Sequence, residues 1–227
     1  MDIHDSGKKI AVIGAGVAGL TASYLLSKKH HVFLFDKNHY CGGHANTITL
    51  DKGEDAGLAV DTGFIVFNKH NYPTFLKLLA ELDVDYIDSN MSFSYFSKFT
   101  NFLYSSDFPW GLFAQKRNLF SPKFYRFILD ILKFNNVALI DVESGRHLDS
   151  SLDDYLKHYK FSDLFIKNYV VPMGAAIWSA SFNELLSMPA YTFLHFWRNH
   201  GLLQVADRPQ WYTIKGGSRN YVAKITE

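Results

Sequence analysis

The chain has a single cysteine among its 227 residues, so Cys41 has no partner for an internal disulfide. Its first residues, Met1-Asp2-Ile3-His4-Asp5, lack the basic and apolar blocks of a secretory signal. Together these absences predict a reducing, cytoplasmic setting. No stretch approaches the ~18 consecutive apolar residues of a spanning helix, which argues against a chain that crosses a membrane. Charge of one sign is lacking too. With 23 Lys and Arg against 22 Asp and Glu, a formal net charge of +1, no global field exists to hold a polyanion, and nucleic acid is not an expected partner. Repeats and low-complexity tracts are absent. Core-forming material is plentiful, at 48% hydrophobic and 16% aromatic residues, and predicts a packed globular protein. The length suits one domain with an insertion, at roughly 100 to 200 residues per domain.

The N-terminal pattern alternates strand and helix. Ile10-Ala11-Val12-Ile13 is a short apolar run stopped by Gly14 and reads as a buried parallel strand. Gly14 to Gly19 forms a turn, Leu20, Ala22, Tyr24, Leu25 and Leu26 predict a helix over 17–28, and His31 to Asp36 is a second apolar strand ending in an acid. Such a crossover is right-handed almost without exception and makes the two strands parallel. After Asp61-Thr62-Gly63, the run Phe64-Ile65-Val66-Phe67 predicts another strand, and Pro73 opens a helix through Leu76, Leu79 and Leu82. Composition then shifts. Residues 91–134 hold fourteen Phe, Tyr and Trp, with six Lys or Arg against two Asp. Ser121-Pro122 starts an amphipathic helix carrying Phe124, Phe127, Ile128 and Ile131. Ser151 to Asp154 and Ser181 to Glu184 resemble capping boxes. Tyr191 to His200 predicts a helix closed by Gly201, Gln210 to Ile214 a strand running into Gly216-Gly217, and Tyr221 to Glu227 the start of another helix.

Gly14-Ala15-Gly16-Val17-Ala18-Gly19 has the spacing of a dinucleotide fingerprint. The first glycine permits the tight turn, the second lets backbone approach a pyrophosphate, and the third lets helix pack on strand. The helix N-terminus then faces the phosphates. A hexapeptide alone is weak evidence, but a strand precedes it, a helix follows, and Asp36 closes the next strand, where an acid accepts from a ribose hydroxyl. Gly42-Gly43-His44 then returns the chain toward the same site.

At this point the sequence resembles the flavin-containing amine oxidoreductase superfamily, with its GxGxxGxxxAxxL run, an acid, five residues and a glycine pair. Leu26 fits, Ser23 replaces the usual alanine, and His30 stands where glycine is frequent. The likeness is greatest to a bacterial branch of predicted NAD/FAD-binding amine-oxidase-like proteins. It rests on Gly42-Gly43-His44, the segments 60–68, 172–179, 199–203 and 208–211, and Gly216-Gly217-Ser218-Arg219-Asn220-Tyr221-Val222. The resemblance implies FAD as cofactor, with Gly14, Gly16 and Gly19 at the pyrophosphate and Asp36 at the adenosine ribose. Gly42, Gly43 and His44 would be on the flavin side, and Thr62, Gly63 and Phe64 near the isoalloxazine ring. Ala15, Val17, Ala18 and Lys37 complete the cofactor-binding set. Members are considerably longer, so the resemblance implies a flavin domain whose second half is absent from these residues. No catalytic residue is assigned; Lys215 is not at the place of a flavin-side lysine.

Other groups admit blander readings. His39, Cys41 and His44 lack a regularly spaced fourth donor, and His195 and His200 lie five apart on a helix, so no metal site is expected. Cys41 is read as packing rather than as a flavin attachment. Trp178, Trp211 and Tyr212 are candidates to line a substrate pocket, and Trp197 belongs to the same set, though core packing explains each ring as well. The basic, aromatic stretch from Met91 to Phe134 suits a membrane surface, but helical spacing of its apolar residues is more often core.

The expected architecture is α/β: residues 1–70 as the N-terminal part of an FAD-binding domain, 71–208 as a mainly helical, aromatic-rich substrate domain, and 209–227 as a return to the first. The expected function is that of an FAD-dependent oxidoreductase whose flavin accepts a hydride from a small hydrophobic or lipid-like substrate. An enzyme of this kind needs its flavin domain completed, so self-association or a partner chain is expected if the chain is truncated; two alternatives stay open, a shortened nucleotide-binding or interaction protein without turnover and an NAD-dependent dehydrogenase.

Overall fold

The computed structural model describes residues 7–106, 110–147, 149–204 and 208–227. Met1 to Asp5, on which the signal expectation rests, and Asp107 and Phe108 of the aromatic stretch lie outside them. The chain forms two compact units, Met1–Asn90 with Gln210–Glu227, and Met91–Pro209.

The first unit begins β1 (Lys9–Ile13), α1 (Val17–Ser27), β2 (His31–Phe35). The two strands are parallel, with Ile10 opposite Val32 and Ile13 opposite Phe35. Contrary to expectation, they are not buried on both faces. Among the described residues this sheet has two strands, so burial alternates: Ile10, Val12, Val32 and Leu34 are partly covered while Ile13, Phe33 and Phe35 are exposed. A hairpin follows, β3 (Thr47–Thr49) against β4 (Ala59–Asp61), then β5 (Phe67–Asn68), α2 (Pro73–Glu81) and β6 (Tyr86–Ser89). The strand expected over 64–67 contributes only Phe67. The Phe64 N–H is taken by the His44 carbonyl and the Ile65 carbonyl by the Thr213 hydroxyl, which diverts 64–66 from a ladder. Residues 71–90, placed with the substrate domain from sequence, lie in the first unit because Leu78, Leu79 and Leu82 share a core with Leu20 and Phe67.

The second unit opens with a hairpin, β7 (Ser94–Ser97) and β8 (Phe102–Ser105), within the domain expected to be mainly helical. Aromatic residues here alternate at the strand period, and Phe102 and Tyr104 turn inward onto Phe127. One long helix, α3 (Pro122–Ser144), is followed by α4 (Leu152–His158), α5 (Asp163–Phe165), α6 (Val171–Trp178), α7 (Phe182–Ser187) and α8 (Ala190–Asn199), and α5 and α8 pack against it. The Ser121 hydroxyl caps α3 by accepting from the Phe124 N–H, and Gly145 ends it at φ +69°. Ser181 and Glu184 form the expected reciprocal capping box. Trp197 is fully buried, its ring 4.7 Å from Phe193 and 5.6 Å from Phe134. Two acids on one face of α3, Asp130 and Asp141, are buried with the rings. Asp130 accepts from the Arg126 Nε and the Ser162 N–H, and Asp141 Oδ2 from the Tyr155 and Tyr159 hydroxyls at 3.0 and 2.6 Å. Burial and the bonded carboxylate push the Tyr159 hydroxyl up to about 12.

The chain then returns to the first unit. β9 (Trp211–Ile214) enters between β5 and β6, antiparallel to both, and α9 (Arg219–Thr226) follows. No helix among the described residues is long and apolar enough to cross a membrane.

Replacing Asp141 with Ala strands the buried Tyr155 hydroxyl and is expected to lower unfolding free energy by about 1 to 3 kcal/mol, the cost of one unsatisfied buried group. Asp141→Asn keeps an acceptor and should lose less. Urea midpoints of the two variants check the order.

Candidate dinucleotide site

The loop between β1 and α1 is shaped by its glycines. The Gly14 N–H donates to the Phe35 carbonyl at 2.7 Å, tying the end of β1 to the end of β2, and Gly14 takes φ +100°, which side-chain-bearing residues rarely adopt. A Cβ on Gly19 would overlap the Gly14 carbonyl oxygen, whereas one on Gly14 or Gly16 would meet nothing within 4 Å. The inner side of the turn is therefore closed by packing and its outer side is open. α1 starts at Val17 with Gly16 as its cap, no capping side chain and no acid in its first turn. Its N-terminal amides, on Val17 and Ala18 among others, keep their partial positive charge for a ligand.

Asp36 lies just past β2, exposed, and both oxygens are engaged. Oδ2 accepts from the Ala15 N–H at 2.6 Å and Oδ1 from the Asn38 N–H at 2.7 Å. The Asn38 amide first, then the Ala15 amide and the nearby charge of Lys37, hold this carboxyl below the usual aspartate range. A carboxylate has about four lone-pair sites, so each oxygen retains room for a hydroxyl donor.

The second glycine pair reaches the same loop. The Gly42 N–H donates to the Ala15 carbonyl at 2.7 Å, Gly16 and Gly42 form a parallel bridge, and a Cβ on Gly43 would lie 3.1 Å from the Gly16 Cα. His44, exposed, accepts through its carbonyl from the Phe64 N–H at 3.0 Å, and a Cβ on Gly63 would overlap that same carbonyl. The Thr62 N–H donates to the Asn46 carbonyl at 2.9 Å. Residues 14–19, 36, 42–44 and 62–64 are thus linked, contact by contact, into one cluster, with Lys37 exposed at its edge.

Sequence reasoning missed what holds this cluster from behind. Asp61 accepts from the Thr47 hydroxyl at 2.6 Å, the Ser218 hydroxyl at 2.7 Å and the Ser218 N–H at 2.9 Å, and the Arg219 N–H donates to Thr47. Asp61 thereby anchors the start of α9, and Val222 of that helix packs toward Gly42. The partners lie 157 residues apart, a separation at which no spacing pattern signals a bond. The aromatic pocket candidates are held by packing. Trp211 is buried, and Tyr212 sits 5.2 Å from Tyr86 with the Lys69 ammonium over its ring. Trp178, in the second unit, packs on Phe193 and Phe196.

Comparison with known proteins agrees with this geometry. Residues 12–82 match the family model of the NAD(P)-binding Rossmann-like domain. A 1-hydroxycarotenoid 3,4-desaturase from Flavobacterium sp. is 36% identical over 94 residues, 41% of this chain and 17% of the relative. Among solved structures, putrescine oxidase bound to putrescine superposes with a TM-score of 0.64 at 15% identity, over 97% of this chain and 49% of that one. A fatty acid isomerase from P. acnes that produces CLA gives 0.60 at 14% identity, over 99% and 50%. An oxidoreductase from Methanosarcina mazei gives 0.58 at 19%, over 96% and 48%. The chain thus spans about half the length of the solved structures it matches. Residues 12–82 match an NAD(P)-binding Rossmann-like domain, and the chain as a whole shares its fold with about half of putrescine oxidase.

Proposed function

We propose that this chain holds FAD in an oxidoreductase of the amine-oxidase-like class that acts on a hydrophobic or lipid-like substrate. The observation that carries the reading is the junction of Gly42-Gly43 with the fingerprint loop. A nicotinamide site uses the fingerprint and the acid, but has no need of a second glycine strand pressed against Gly16. The open outer side of Gly14 and Gly16, the uncapped start of α1 and the spare acceptor capacity of Asp36 fit a pyrophosphate and a ribose. When bound, the flavin supplies a hydride acceptor. The protein's own part is to neutralise the pyrophosphate with the α1 amides, to fix the ribose through Asp36, and to bring the backbone of 42–44 and 62–64 beside the cofactor. The desaturase and the fatty acid isomerase carry names that denote lipid substrates, which supports the hydrophobic-substrate part of the reading.

The purified chain is expected to show flavin absorption as isolated or after incubation with FAD, and heat should release a ligand of FAD mass. Uptake of neither FAD nor NAD would overturn the site, and uptake of NAD alone would move it to a dehydrogenase.

Two glycine variants separate ligand approach from folding. Gly16→Val should retain native circular dichroism but lose FAD binding, because its side chain enters the open approach, while Gly19→Val should lose the fold itself through collision with the Gly14 carbonyl. Binding by Gly16→Val at native affinity would remove the loop from the argument.

Asp36→Ala is expected to weaken FAD binding about tenfold to a hundredfold, the worth of a charged hydrogen bond. Because the Asp36 pKa is depressed in the fold, its contribution is present above the unfolded value of about 3.9 and lost only as pH falls through the lower folded value. FAD affinity titrated from neutral pH downward should therefore show no Asp36-dependent loss until below about pH 4.

A further inference from the structure

The inward side of α3 is fully committed to the core through Phe124, Phe127, Phe134 and Ala138. A helix at the surface of a globular unit presents polar residues on its opposite side, and α3 does so only in part. Tyr125, Leu129, Leu132 and Ile140 recur along its outer face with 45%, 61%, 48% and 42% of their surface exposed. The stripe begins before the helix, at Leu119 and at Phe120, which is 87% exposed. Leu119, Phe120, Pro122, Tyr125, Arg126 and Leu129 line an open groove there. Phe99, fully exposed, stands in the β7–β8 turn, and the side chains of Gln115 and Arg117 both bond the Asn101 carbonyl, holding that turn beside the segment that leads into α3.

The charge along this stripe up to Ile140 is mostly positive, and Glu143 beyond it pairs with Arg198. Between residues 110 and 140 the cations are Lys116, Arg117, Lys123, Arg126 and Lys133, and the single acid is Asp130. Asp130 is 1% exposed and offsets Arg126, to which it is bonded, so the surface charge of this stretch is carried by Lys116, Arg117, Lys123 and Lys133. Bulky apolar side chains flanked by cationic stems suit the boundary between lipid headgroups and acyl chains. A second copy of the chain is a poor occupant, since a two-fold contact would set this cationic face against itself.

We propose that the outer face of α3, with the turn that precedes it and Phe99, docks on an anionic lipid surface. The inference rests on the second unit alone and is independent of the flavin reading.

The test is co-sedimentation of the full chain with vesicles of phosphatidylcholine containing one-quarter phosphatidylglycerol, and with vesicles of phosphatidylcholine alone. Binding to the anionic vesicles is expected, weakening as salt is raised. Phe120→Ser with Leu129→Asn should reduce it by at least about tenfold, by removing two insertable side chains. Lys116→Glu with Lys123→Glu should also reduce it by about tenfold or more, at roughly fivefold for each cation lost. All four positions are exposed, and circular dichroism verifies that the variants fold. A wild-type chain that stays in the supernatant overturns the proposal, as does binding that neither pair of substitutions changes. Equilibrium sedimentation supplies the remaining outcome: a dimer abolished by Phe120→Ser with Leu129→Asn, without vesicle binding, would assign the face to a second copy instead.

Discussion

The first unit depends on a backbone approach that leaves no room for a side chain on Gly42 and little for one on Gly43. Gly43 lies against Gly16, and Gly42 donates to the Ala15 carbonyl, so two segments separated by a helix and a strand meet main chain to main chain. That meeting demands that β1 and β2 end level, which their register and the Gly14 to Phe35 bond provide. It also demands that something press 42–44 inward. α9 does so through Val222, and α9 is itself fixed at its start by Asp61 and Thr47. The fingerprint loop, the glycine pair, the β3–β4 hairpin and a helix from the far end of the sequence are consequently one mechanical unit. A change at Asp61 reaches the loop through α9 without touching any ligand.

The second unit is organised by a different constraint, the burial of polar groups among rings. Eleven residues separate Asp130 from Asp141, close to three helical turns, which sets both carboxylates on the same inward face of α3. Each is held by hydrogen bonds together with an arginine that reaches it from the surface, Arg126 for Asp130 and Arg146 for Asp141. Asp141 joins α3 to two tyrosines of the α4 region, and Asp130 joins it to the segment that begins α5. Unsatisfied, either acid would be costly in such a core; satisfied, they fix the register in which the aromatic rings stack.

What was legible in the sequence is what is local. The fingerprint, the acid at the end of β2, the caps at Ser121 and Ser181 and the glycine that closes α8 each depend on residues a few positions apart. The alternation of Phe102 and Tyr104 is equally local, yet it was hidden by the number of rings around it, which satisfy a helical period and a strand period at once. Phe64 to Val66 failed as a strand for a non-local reason: their bonding groups go to His44 and Thr213, whose proximity only the fold creates. The Asp61 network lies wholly beyond sequence reading, because Thr47, Asp61 and Ser218 have no common spacing and meet only when β9 and α9 return.

Four acids in this chain illustrate how a ligand-facing carboxylate differs from a structural one. Asp61 receives the hydroxyls of Thr47 and Ser218 and the Ser218 amide, and Asp130 and Asp141 receive donors while nearly sealed from solvent. Their acceptor capacity is spent within the protein, and each explains the position of a helix. Asp36 is exposed and receives one amide on each oxygen, an arrangement that orients the carboxylate without filling it. Those amides also keep it ionised, so its unused lone pairs remain acceptors at any pH where the fold persists near neutrality. An orienting bond on each oxygen with capacity left over is what recognition of a ribose requires, and among these four acids only Asp36 has it.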